Sequence, residues 1–266
     1  MTGEPPSFEF TLTRDRDVVG QLVDHTLILS IEAQTELIAR YSGLSWRVDL
    51  SEPPVFWFER EPAAVFRPHF IGSTSTRTNT WLWAWENIND FPDSVVSLAQ
   101  YVREAGERLG AAELTTAYQN LQPAERVYEG LIARGMPEAV YVYCAQALSE
   151  LPAPVYYRAP NGNGYSWFLL DNPDEFSMPT AAAVSTTAAI TRALRTGDIT
   201  DHRLAVTAYA QRRQGISLEI PGHDRMVLQA PDGQVVIGID EGGRITTIVS
   251  DPGGQKGPST PAGGTV

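Results

Sequence analysis

The chain has 266 residues, 42% of them apolar and 20% charged, a balance that lets a folded protein bury a core without disulfide or metal support. Its 32 acidic residues outnumber 20 basic ones and leave a formal charge of −12, a field that repels a phosphate backbone or an anionic membrane surface. The single cysteine, Cys144, excludes an internal disulfide and a cysteine-built zinc site, and within its apolar run it reads as a buried, inert thiol.

The first residues lack the basic and apolar stretches of a signal peptide. No segment approaches the ~20 apolar residues of a membrane helix. A cytoplasmic protein is expected. The densest basic group, Arg203, Arg212 and Arg213 on one predicted helix, is too small for a nucleic-acid patch and reads as a solvated face.

In chain order, residues 1–13 read as extended. Three-and-four spacing of apolar residues from Asp15 to Tyr41 then predicts a long amphipathic helix, stopped by Gly43. Alternation at Trp46, Val48 and Leu50, the aromatic run 55–59, the run 65–71 and the run 80–86 predict an antiparallel four-stranded meander. Pro68 marks the third strand as an edge or a bulge. Segment 72–79, rich in Ser and Thr, reads as a loop. A helix follows Pro92, with Asp90 or Asp93 as its cap, then shorter helices near 113–121 and 123–134; in 138–149 Val140–Tyr143 favours strand and the following Ala-Gln-Ala-Leu favours helix, with helix the preferred reading.

Two β-rich runs around Asn161-Gly162-Asn163-Gly164 predict a hairpin. Helices over 180–195 and 201–214 come next, the second capped by Asp201. Short strands follow near 217–220, 225–229, 235–239 and 245–249. The order predicts an α+β fold of antiparallel sheets flanked by helices, as one body or two modules. The segments are 14–150, with the meander and its helices, 151–250, with the hairpin, helices and last strands, and a disordered tail over 251–266.

The segment with most character is Gly72-Ser73-Thr74-Ser75-Thr76-Arg77-Thr78-Asn79-Thr80-Trp81-Leu82-Trp83-Ala84-Trp85-Glu86-Asn87. On a strand, Trp81, Trp83 and Trp85 share one face and Leu82 and Ala84 the other. Three indoles in a row make either a core face or a platform for a sugar, a base or a peptide. With Trp46-Arg47-Val48-Asp49, the aromatic strand near Phe56 and Tyr156-Tyr157-Arg158, this segment resembles the hallmark of an uncharacterised family common in actinobacteria, over roughly residues 20–170. The resemblance implies fold boundaries and no activity.

Pairing of strands 65–71 and 80–86 would bring His69 near Glu86 as an acid/base pair or a surface pair. Arg77 and its hydroxyl-rich loop could hold an anion, although the Lys and glycine spacing of a phosphate loop is missing. With Asn87, these residues and the tryptophans are the candidate binding set. Asn161–Gly164 has two of the three glycines of a dinucleotide fingerprint and no following helix, and Pro173 breaks any calcium pattern in 171–175. No catalytic, metal or cofactor motif is present.

Two functions follow as expectations. One is a non-enzymatic protein-binding protein, chaperone-, immunity- or antagonist-like, whose acidic field suits a basic partner. The other is a small-molecule-binding protein or enzyme with its site beside the tryptophan strand.

Overall fold

The computed structural model describes residues 17–121, 128–149 and 151–253. Helix α1, Val18–Tyr41, starts where the Asp17 carboxylate accepts from the Gly20 N–H at 3.1 Å. Every residue from Val19 to Ser30 is buried, because α1 is packed on several sides by α5 (Ala139–Leu148), α6 (Ala183–Leu194) and α7 (His202–Arg212). Beyond Ser30 the buried positions thin to Ala33, Leu37 and Tyr41, the stripe of a helix with one wet face. Among the described residues no helix is long and apolar enough to cross a membrane.

Two antiparallel sheets flank the helices. The first has seven strands: β1 (Trp46–Asp49), β2 (Val55–Phe58), β3 (Ala64–Ser75), β4 (Thr80–Trp83), β5 (Tyr118–Asn120), β6 (Val155–Pro160) and β7 (Gly164–Asp171). β3 is its hub. It pairs with β2 through Ala64–Phe66, with β4 through Gly72–Ser75, and with β7 from Arg67 to Ser75. The hairpin β6–β7, which the sequence groups with the C-terminal segment, thus completes the same sheet as the meander. The second sheet, in the order β11-β10-β9-β8, is built from β8 (Ser217–Gly222), β9 (Arg225–Ala230), β10 (Gly233–Ile239) and β11 (Ile245–Pro252), and packs against α6 and α7.

A register shift between Phe70 and Gly72 leaves Ile71 as a bulge in β3. Phe70 is paired with Phe168 and Ser73 with Ser166, so these four share one face of the sheet. His69, Gly72 and Thr74 turn to the other. That other face, with Trp81, Trp83 and Trp167, lies under α2 (Asp93–Leu109) and α5. Tyr141 of α5 sits 5.4 Å from the Trp81 ring and 5.5 Å from Trp83. The first face carries its own aromatic cluster, in which Phe56 lies 5.0 Å from Tyr157 and Phe70 lies 5.4 Å from Phe168.

Several expectations need correction. β3 runs on to Ser75, so Gly72–Ser75 is strand, not loop. Pro68 stands between the stretches that pair with β2 and β4, where β7 alone is paired, so its missing N–H leaves no gap in a ladder. The chain leaves β4 after Trp83 for a 3₁₀ turn over Ala84–Glu86, which removes Trp85 from the strand. Pro92 is the cap position of α2 and makes no side-chain cap, so neither Asp90 nor Asp93 serves there. Only Ala112–Thr115 (α3) is helical in 113–121, followed by β5; of the helix expected over 123–134, residues 123–127 lie outside the described residues and Glu129–Ala133 (α4) is helical. Arg212 and Arg213 turn inward onto α1 and do not make a solvated face. The Arg212 guanidinium donates to Thr26 Oγ1 at 3.2 Å and to the Gln146 carbonyl at 3.0 Å. The extended leader 1–13 and residues 254–266 of the expected tail lie outside the described residues.

Candidate functional site

The reverse of the tryptophan face is open at the end of the sheet formed by β7, β3, β4 and β5. Register sets two rows across these strands. One runs Ser166, Ser73, Leu82, Tyr118 and the next runs Gly164, Ser75, Thr80, Asn120. All of these but Gly164 and Asn120 line a cleft of about 790 Å³. Hydroxyls and amides order its polar end. Thr78 and Thr80 share a hydrogen bond of 2.8 Å, the Thr78 N–H donates to Ser75 Oγ at 3.3 Å, and Asn161 Nδ2 donates to Ser166 Oγ at 3.1 Å. The other end is apolar, with Phe70, Phe91 and Phe168.

Asn87 builds one lip. It adopts the left-handed conformation at φ +46°, its Nδ2 donates to the Phe91 carbonyl, and its Oδ1 accepts from the Phe91 N–H, both at 2.9 Å. This closed loop presents Ile88, 63% exposed, over a recess of about 40 Å³ bounded by Leu82, Ala84 and Phe91. Tyr118, 59% exposed, forms a second lip, on the edge strand β5. Arg77, in the β3–β4 turn, is the one ionisable side chain other than Tyr118 among the lining residues. Among the described residues no carboxylate lines the cleft. Among the described residues Arg77 has no ion pair and no side-chain hydrogen bond.

The candidate residues therefore separate. Trp81 and Trp83 are fully buried, and Trp83 Nε1 donates to the Glu113 carbonyl at 3.0 Å. Trp85 is buried beneath the Arg103 guanidinium, 4.7 Å from its ring centroid. The tryptophan face is core, with no platform open to a ligand. His69 is on that same inward face, and both its ring nitrogens are buried without a hydrogen-bond partner. Glu86 is exposed on the 3₁₀ turn, and no hydrogen bond or ion pair joins it to His69 among the described residues. The expected acid/base pair is not formed, because strand alternation turns His69 inward while the chain has left the sheet at Glu86. The loop expected to hold an anion is shorter than its composition suggests. Gly72–Ser75 is paired into β4 and β7, which leaves the turn around Arg77 as the loop.

Arg77 and Asn87 remain at the cleft. Ser73, Ser75, Thr80, Ser166, Ile88 and Tyr118 join them without having been anticipated. The run Ser73-Thr74-Ser75 has a hydroxyl at every position, so no period-two signal in it separates the buried face from the open one.

A second cleft, of about 820 Å³, lies between the start of α1, the α6–α7 connection and the β10–β11 turn. Its polar groups hold that connection. Asp24 accepts from the Thr200 N–H at 2.8 Å and the Asp201 N–H at 2.9 Å. Asp201 caps α7 through Leu204 N, and His202 Nδ1 accepts from Ile245 N at 3.1 Å. Burial and the Arg244 charge lower the His202 pKa, and burial pushes the Cys144 thiol well up. No group of three or more His, Cys, Asp or Glu among the described residues is placed to hold a metal ion.

No curated protein and no solved structure matches the chain. A family model does match, over residues 20–173, which takes in α1, the whole first sheet and the cleft. With more than half of its length in that match, the chain belongs to DUF6882, a family of unknown function.

Proposed function

We propose that the chain is a non-enzymatic, cytoplasmic binding protein that recognises a protein partner through the cleft on the Leu82 face of the first sheet. What carries this is the pair of lips. Ile88 and Tyr118 leave large apolar surfaces exposed beside a floor rich in hydroxyls and amides. Apolar anchors beside hydrogen-bonding groups are what a protein contact covers. Among the described residues the lining holds no carboxylate, histidine or cysteine that could act as base or nucleophile. The segment 72–87 would then mark the family for two reasons at once: Gly72 and the tryptophans build the sheet, and Asn87 builds the lip.

A small ligand is the second candidate, favoured by a volume within the range of small-molecule sites. Affinity capture from a cell lysate separates the two, using the full chain beside an Ile88→Ser/Tyr118→Ser double variant. Both substituted residues are exposed, so folding should be unchanged. A stoichiometric protein held by the native chain and lost by the variant supports recognition at the cleft. A protein held equally by both places recognition elsewhere. Recovery of folded chain alone, with a metabolite that raises its melting temperature and ceases to do so in Arg77→Ala, favours the small ligand.

A further inference from the structure

The chemistry of the lining narrows the partner. Resting on the protein-binding proposal above, we infer that the cleft takes an extended segment carrying an Asp or Glu side chain for Arg77 and a small apolar side chain for the recess under Ile88.

Arg77 is exposed in the β3–β4 turn, and a partner that fills the cleft as far as that turn takes it out of water. A guanidinium so covered without an anion is left desolvated and unpaired, a penalty that a carboxylate removes with a charge-assisted, two-pronged hydrogen bond. Among the described residues no carboxylate in the lining competes for that role or repels it. The long-range field of a chain at −12 favours a partner that is basic as a whole. That field is screened over about 8 Å at physiological salt, so a carboxylate delivered to Arg77 responds mainly to its immediate neighbours.

The spacing follows from the strand. The recess adjoins Leu82, and Arg77 lies beyond Thr80 in the turn. Leu82 and Thr80 are separated by about 7 Å along β4, and Arg77 is a further step away. An extended segment spans that interval with about three residues. The recess, about 40 Å³, is by far the smaller of the two spaces and suits a small apolar side chain. Between these anchors, Ser73, Ser75, Thr80 and Asn161 offer hydrogen bonds to the peptide groups of an incoming chain.

The test is to pan a random heptapeptide phage library on the full-length chain and measure the selected peptides against variants. The expected result is an acidic residue recurring about three positions from a small apolar one, with affinity falling about tenfold in Arg77→Ala, less in Arg77→Lys, and further in Ile88→Ser/Tyr118→Ser. Peptides without an acid, or binding Arg77→Ala within about threefold of the native chain, overturn the inference. If they still depend on Ile88 and Tyr118, the cleft itself stands as the binding surface; indifference to all three variants removes both. Failure to enrich any peptide overturns the inference and leaves the cleft to the lysate capture. Self-association of the chain that disappears in Ile88→Ser/Tyr118→Ser names a second copy as the occupant and overturns it too.

Discussion

Glu32 on α1 and Arg213 at the end of α7 grip each other at two points, Nε to Oε2 at 3.0 Å and Nη2 to Oε1 at 3.1 Å, with the Arg213 side chain only 4% exposed. The Tyr209 hydroxyl donates to the same Oε2 at 2.8 Å, and Arg213 also donates to the Pro179 carbonyl at 2.7 Å. The pair joins the first long helix to the C-terminal helices and to the loop that precedes α6. Losing one partner leaves the other charge buried alone, so Glu32→Gln and Arg213→Met should each destabilise by about 3 kcal/mol. The combined variant should fall short of the sum by about 1 kcal/mol or more, since the second change removes a charge already orphaned. Urea unfolding of the four proteins measures this. Strict additivity would mean that the two residues do not act as a pair.

Stability should also fall in mild acid, and His25 is one cause. Burial, reinforced by the Arg212 charge, pushes its pKa down from 6.5 to about 4. Between those values the unfolded chain binds a proton that the folded chain excludes. Stability present above pH 6.5 is therefore lost as the pH falls toward 4, by about 3 kcal/mol over the whole interval. His202, lowered by its own burial and by Arg244, acts in the same direction. The check is denaturant unfolding at several pH values from 7.5 to 4.5, for the native chain and for His25→Gln. The variant should show a shallower decline, and equal slopes would remove His25 from the account.

The helices and most strands were legible because each buries one face with its own period. Val18–Tyr41, Trp46–Asp49 and the hairpin at Asn161–Gly164 lie where local pattern places them. What local pattern misses is pairing at a distance. Gly72–Ser75 has loop composition, yet β4 on one edge and β7 on the other hold it as strand, and β7 lies about ninety residues along the chain. Arg212 and Arg213 have the spacing of a wet face, yet Thr26, Glu32 and Gln146 wait for them on α1 and α5. The candidate site was half legible for the same reason. The period-two tryptophans identify the right strand, but which of its faces meets helices is decided by α2 and α5.

Gly72 ties this strand to its neighbour. A Cβ built on it would lie 2.7 Å from Trp81 Cε2 and 2.6 Å from the Leu82 carbonyl oxygen, so the indole rests directly on the glycine backbone. Neither a buried ring nor a strand carbonyl can retreat without disturbing the β3–β4 ladder. Gly72→Ala should destabilise by about 3 kcal/mol, at the upper end of overpacking effects. Relief by Trp81→Phe in the same chain is expected, because the smaller ring vacates the space. Thermal unfolding of the single and double variants measures both effects, and a Gly72→Ala chain as stable as the native one would contradict the close contact.

Asn87 should matter to the cleft lip far more than to the whole fold. Its left-handed backbone and its two hydrogen bonds to Phe91 close a loop that is otherwise exposed at Ile88, Asn89 and Asp90. Asn87→Gly keeps the backbone freedom and removes both side-chain bonds, while Asn87→Ala also adds left-handed strain of about 1 kcal/mol. Two hydrogen bonds at about 1 kcal/mol each predict faster amide exchange at Phe91 in both variants. The protection of the buried α2 residues Val95 and Val96 should be nearly unchanged. Hydrogen exchange followed residue by residue distinguishes this from general loosening, in which α2 would lose protection as well. Cleft binding should weaken in parallel with the Phe91 exchange rate, because Ile88 and Phe91 then spend less time in the arrangement that forms the recess. Binding that stays constant while the loop opens would leave the lip with no part in recognition.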